Sequence, residues 1–235
     1  MTMNKCIAYG DCNTEGIRQF TGQLWAERVA QALDMPLTNC GHTMSTTREL
    51  RRYAQDYPPA TYRVAMIQYG LVDSWLTFRG APYVLYYPDS LKRKLARKLV
   101  KKLKKWARSF HLQARLGAVE QVPLDEYLAH IRTVVSSAPT TLFVLVGTAP
   151  NKDESRNPRI LRYNAALMAL AGQSDNTLYV DAYDALWDQR GYTLMADGTH
   201  LTDDGHALLA EKVISVLRPS LALMHRAPHK TAAFA

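Results

Sequence analysis

Short apolar runs alternate along the chain with stretches in which apolar residues return every third or fourth position. That alternation predicts strands joined by crossover helices in a mainly parallel sheet. Residues 5–9, 37–40, 64–69, 142–147 and 178–181 read as the strands. The run 142–146, Leu-Phe-Val-Leu-Val, has no polar position, as suits a strand covered on both faces. Between the first two strands Ile17, Phe20, Leu24, Trp25, Val29 and Leu33 keep helical spacing, and 46–55, 124–136, 160–171 and 203–217 read as further helices. Pro36, Pro58-Pro59, Pro139 and Pro150 punctuate the joints. The expected architecture is a three-layer α/β/α sandwich with a parallel sheet of about five strands. One domain is expected over 1–218, with 219–235 a flexible tail, since His225 to Lys230 show no periodicity.

One segment stands apart. Leu91, Leu95, Leu99, Leu103, Trp106 and Phe110 recur at steps of four and three, with Lys and Arg on the other faces. This predicts an amphipathic cationic helix within an insert at 89–110. Residues 92–108 hold ten Lys or Arg and no acid, so the formal charge of +8 belongs to this segment; the rest carries 19 basic and 21 acidic residues. Three readings follow: peripheral contact with an anionic membrane through 91–110, packing of the apolar stripe on the domain, or nucleic-acid binding. The last is set aside, because nothing reads bases and the remaining chain is mildly acidic. Val84 to Pro88, just before it, are apolar enough to form a lid or anchor.

Composition narrows the setting. At 235 residues and 47% hydrophobic, the chain can bury a sizeable core. No apolar stretch approaches the roughly 20 residues of a bilayer span, and the N-terminus is too short for a secretory apolar region. Cys6, Cys12 and Cys40 are too few for a disulfide framework, which points to a reducing compartment. The expected location is the cytoplasm, at the inner face of the membrane if the basic segment engages it. The histidines lack metal-ligand spacing, so neither metal nor cofactor is expected.

Two short motifs carry chemistry. Gly10-Asp11-Cys12-Asn13 follows the first strand, and Asp197-Gly-Thr-His200 precedes the last helix. A thiol, a carboxylate and an imidazole are the parts of a hydrolytic triad, whatever their chain order. Residues 42–45 and 70–73 follow the second and third strands, so all should meet at the carboxyl edge of the sheet.

With these blocks the chain resembles the SGNH, or GDSL-type, hydrolases. Gly10-Asp11-Cys12 stands for that family's Gly-Asp-Ser, Asn39 to Thr47 for its second block, Gly70-Leu-Val-Asp73 for Gly-x-Asn-Asp, and Asp197 to His200 for Asp-x-x-His. The resemblance implies the flavodoxin-like SGNH hydrolase fold. It implies Cys12, Asp197 and His200 as catalytic residues, and the backbone N–H groups of Cys12 and Met44 as the oxyanion hole. Asp11, Asn13, Gly70 and Asp73 would be substrate-binding. The chain departs from the pattern at Cys12 for serine, Met44 for glycine and Val72 for asparagine. The Gly-x-Val-Asp form followed by a basic insert resembles a subgroup associated with bacterial surface-polysaccharide biosynthesis. The implied function is an ester hydrolase or O-acyltransferase acting on acyl esters of a small molecule or glycan. The alternative is a degenerate member that binds a glycan or partner without chemistry. Cys6 and Cys40 are expected in the core, and Asn164 on a helix surface.

Overall fold

The computed structural model describes residues 3–110 and 116–226. Five parallel strands form the main sheet in the order β2-β1-β3-β6-β7: β1 (Met3–Gly10), β2 (Leu37–Gly41), β3 (Tyr62–Gln68), β6 (Leu142–Val146) and β7 (Thr177–Val180). A separate antiparallel pair joins β4 (Leu76–Phe78) to β5 (Ala118–Glu120). The strand order reverses direction between β1 and β3, where open α/β sheets bind ligands. Both the three-layer class and the five-strand sheet match the sequence expectation.

Alternation of side chains along each strand builds two cores. Cys6, Ala8, Val64, Met66 and Val144 face α2 (Trp25–Ala32) and the last helix, α9 (Asp203–Arg226). Ile7, Tyr9, Ala65, Ile67 and Phe143 face α3 (Thr47–Asp56), α5 (Leu124–Ser136) and α6 (Asn157–Ala171). With both faces covered, these strands lack the apolar–polar alternation of a half-buried sheet. Cys6 and Cys40 lie in the two cores, as expected.

The structure corrects two boundaries. Helical spacing from Ile17 to Leu33 becomes a helix only at Trp25. Gly16, at φ 83°, ends the short α1 (Cys12–Glu15), and α2 starts where the Glu27 carboxylate accepts from Leu24 N–H at 2.9 Å. Phe20 instead packs its ring 4.6 Å from that of His206. At the other end, α9 runs through Pro219 to Arg226, where a flexible tail was expected from 219. An interior proline costs on the order of 3 kcal/mol, but Leu217 and Leu221 on either side are buried in the core, and their packing holds the helix together. The rest of the expected tail, 227–235, lies outside the described residues.

The basic segment forms α4 (Leu91–Ser109). Its apolar stripe does not pack on the domain: Leu91, Leu95, Leu99, Leu103, Trp106 and Phe110 are 43–80% exposed.

Candidate active site

The first strand ends in a glycine because nothing larger fits. A Cβ on Gly10 would lie 2.0 Å from Thr14 Oγ1 and 2.8 Å from the Gln68 carbonyl. Asp11 then caps α1, its Oδ1 accepting from Asn13 N–H at 3.0 Å, and Cys12 becomes the first helical residue. The Asn13 side chain ties this turn to the far end of the chain. Its Oδ1 accepts from Leu201 N–H at 3.0 Å and its Nδ2 donates to the Thr199 carbonyl at 3.4 Å. Within that loop His200 Nδ1 donates to Asp197 Oδ2 at 2.6 Å, while Asp197 Oδ1 accepts from the N–H groups of Thr199 and His200. A carboxylate on Nδ1 fixes the tautomer and leaves Nε2 as an acceptor. Cys12, Phe20, Met195, His200 and His206 line one crevice with no room for a water molecule. No hydrogen bond links the Cys12 thiol to His200 in this state.

Burial governs the electrostatics. Cys12 is 5% exposed, and burial, reinforced by Asp11 beside it, pushes its thiol well above the ordinary range. The group therefore rests as a thiol, not a thiolate. Burial would raise Asp197, but the hydrogen bonds from the His200 ring and from the two backbone N–H groups outweigh it and hold the carboxyl below its usual value. Asp11 and Asp73 are both fully buried and pushed up to about 7 by burial. Asp73 Oδ1 accepts from Thr47 N–H and Oγ1 at 2.9 and 2.7 Å, which anchors the start of α3. Its Oδ2, like that of Asp11, has no hydrogen-bond partner among the described residues.

A pH dependence follows from these two carboxyls. Their folded values lie above the usual 3.8, so the stability they allow is full at low pH and lost as pH rises towards about 7. His206, lowered to about 4 by burial, acts oppositely and loses stability as pH falls from 6.5. Asp73→Asn should remove one of the two carboxyl contributions. The variant should gain on the native chain by about 2 kcal/mol or more between pH 5 and pH 8 in thermal melts. A constant difference between the two across that range would contradict the assignment.

Met44 adopts φ 67°, the left-handed region that an L side chain enters at a cost of about 1–2 kcal/mol. The turn holds it there through Ser45, whose N–H donates to the His42 carbonyl and whose Oγ donates to that of Gly10. A glycine would adopt this left-handed backbone without that cost. Gly70 sits at φ 130°, and a Cβ there would lie 2.3 Å from Thr148 Oγ1. Asp11, Asn13, Gly70 and Asp73, expected to bind substrate, are all buried in this state.

Met44 and Val72 form part of the base of a cavity of about 430 Å³. Its upper wall is the segment 83–86, clamped by Glu49. That buried carboxylate accepts from Tyr83 Oη at 2.7 Å, Tyr86 N–H at 2.7 Å, and the Thr46 N–H and Oγ1. Sequence reasoning did not single out Glu49, although Thr46-x-x-Glu49 is a capping-box spacing that marks it. The segment 84–88, read as a lid or anchor, is tied at Tyr86 to Glu49 in the first turn of α3. Asn164 corrects the expectation of a surface role: it is 4% exposed, accepts from Thr148 N–H at 2.8 Å and donates to the Thr148 carbonyl at 3.0 Å. Among the described residues no cluster of side chains suits a metal ion, and no helix is long and apolar enough to cross a membrane.

The model of the GDSL-like lipase/acylhydrolase family matches residues 8–208. Among solved structures, Axe2, an acetylxylan esterase from Geobacillus stearothermophilus, is 20% identical with a TM-score of 0.61, over 92% of this chain and 95% of that one. A lipase/acylhydrolase from Enterococcus faecalis is 16% identical with a TM-score of 0.62, over 91% and 94%. Axe2 variants at a serine, a histidine and an aspartate are described as catalytic mutants. No curated protein sequence matches this chain significantly. At these identities the solved structures speak for the fold, while the family match spans all four motif blocks: the chain belongs to the GDSL-like lipase/acylhydrolase family.

Proposed function

We propose that this protein is an SGNH-type ester hydrolase or O-acyltransferase using Cys12 as nucleophile, His200 as general base and Asp197 to orient the imidazole. The observation that carries the reading is the Asn13 bridge, which sets the Asp197–His200 pair beside the residue that opens α1. His200 Nε2 takes the thiol proton as sulfur attacks the ester carbonyl, and the N–H groups of Cys12 and Met44 hold the oxyanion. Collapse expels the alkoxide, which takes that proton back. Water or an acceptor hydroxyl, deprotonated by His200, then resolves the thioester. Phe20 and Met195 must move to admit substrate, since the crevice is closed at rest. Asp11, Asn13, Gly70 and Asp73 shape the site from behind, and the chain through the end of α9 acts as one hydrolase-like domain. The substrate class is an acyl ester, O-acetyl included, on a carbohydrate. The acetylxylan esterase neighbour supports that class, and a role in surface-polysaccharide biosynthesis would suit it.

To test this, mix the protein with p-nitrophenyl acetate, quench in acid and map the digest by mass spectrometry. An acetyl group on the Cys12 peptide, absent in Cys12→Ala, is expected. Turnover of equal rate in both proteins with no adduct would end the reading. The high-lying thiol and the apolar Val72 favour a second reading, a binding protein without chemistry. An unmodified Cys12 in folded protein would support it.

The exposed stripe of α4, flanked by lysines, suits peripheral contact with an anionic membrane from the cytoplasmic side. Flotation with phosphatidylglycerol vesicles at low salt should recover the protein, and Leu95→Glu/Leu99→Glu should abolish it. Unchanged flotation of the variant would refute the contact.

A further inference from the structure

Helix α4 is mounted inside out. At about 100° per residue, Arg97, Lys101 and Lys104 fall opposite the Leu–Trp–Phe stripe, while Val100 and Lys105 flank it. These five residues line the cavity above Met44 and Val72, while the stripe faces outward. An amphipathic helix ordinarily buries its apolar side against the domain. Here cationic residues are turned into the cavity that Met44 and Val72 also line. Among the described residues no carboxylate lines the cavity, whose apolar walls include Val72, Trp75, Leu76 and Val84.

Two of the cations are committed within the fold. Arg97 donates to the carbonyls of Leu85 and Tyr86 and pairs with Asp89 at 2.6 Å, and Lys104 donates to Gln121 Oε1 at 2.6 Å. The ammonium groups of Lys101 and Lys105 have no hydrogen-bond or ion-pair partner among the described residues. A cleft lined by one sign of charge over apolar walls focuses its field on a ligand of opposite sign. Its volume of about 430 Å³ is in the range of small-molecule sites.

We propose that this cavity binds a soluble anionic amphiphile: a molecule whose phosphate group lies between Lys101 and Lys105 and whose apolar body rests on Val72 and Trp75. Lys101 and Lys105 both line the cavity, whose volume of about 430 Å³ suits one small molecule, which argues for a soluble ligand over a membrane lipid. The inference deepens the hydrolase reading, on which it rests for the ester's position, by naming a phosphate-bearing acyl ester as the substrate class. The ester carbonyl would lie at the Met44 end of the cavity.

The test is calorimetric titration with monomeric octyl phosphate at low salt, with octanol and inorganic phosphate as separate titrants. Saturable binding at one site is expected, at least ten-fold tighter than either fragment and weakened by salt. Lys101→Gln/Lys105→Gln should weaken it at least ten-fold, with circular dichroism reporting the fold. Leu95→Gln/Leu99→Gln, on the outer face, should bind as the native chain does. Absent binding, equal binding by the lysine variant, or loss in the stripe variant would each overturn the proposal. Cys12→Ala should still bind octyl phosphate. Binding without ester turnover would therefore sink the hydrolase reading alone, and turnover without binding would sink this one alone.

Discussion

His200→Ala is expected to lower kcat/KM for p-nitrophenyl acetate by about 10³-fold, within the span that positioned general bases contribute. The size follows from the thiol's surroundings. Many cysteine nucleophiles are activated in advance by a lowered pKa and attack as thiolates. Cys12 is driven the other way, by burial and then by Asp11, so the base must remove the proton during attack. Asp197 accepts from Nδ1 at 2.6 Å and favours the imidazolium that forms. Cys12→Ala should cost about as much, and the double variant little more, because residues that act as one unit are not additive. Cys12→Ser should retain measurable turnover, since a base that serves a protonated thiol can also serve a hydroxyl. Steady-state rates on folded variants decide the matter. A loss below about five-fold in His200→Ala would mean that the imidazole takes no part.

The sheet was legible because β6 is apolar throughout and the middles of β1 and β3 are nearly so, as suits strands covered on both faces. Where periodicity misled, local chemistry overrode it. Ile17 to Leu24 keep a helical stripe, yet Gly16 and the Glu27 cap delay the helix to Trp25. Pro219 reads as a stop, yet the buried Leu217 and Leu221 carry α9 past it. The pattern of α4 told which side is apolar but not which side meets the domain. That depends on distant anchors, Arg97 on Asp89 and the Leu85 and Tyr86 carbonyls, and Glu49 on the segment before the helix. At the site, motif order placed Cys12, Asp197 and His200 at one edge of the sheet. The Asn13 bridge and the buried Asp11 beside the thiol are relations in space, and no spacing along the chain encodes them.

Val72→Asn is expected to raise turnover of acyl esters by about 10²-fold, the reverse of what deleting one oxyanion donor costs. Val72 is 2% exposed at the base of the cavity that Met44 also lines, where the resembled family carries an asparagine. On the proposed mechanism, valine there leaves the oxyanion with backbone donors alone. An amide at 72 adds a third, aimed from the same cavity wall, and the open space beside it can hold water to satisfy the remaining N–H at rest. The cost in stability should be on the order of 1 kcal/mol, because a polar group replaces a buried apolar one. Met44→Gly is the counterpart: it relieves the left-handed backbone at 44 without adding a donor, so it should raise stability and leave the chemical step nearly unchanged. The two variants separate donor number from strain. If Val72→Asn folds, binds substrate and turns over no faster, position 72 does not face the developing charge, and the reaction uses another pocket wall or does not occur here.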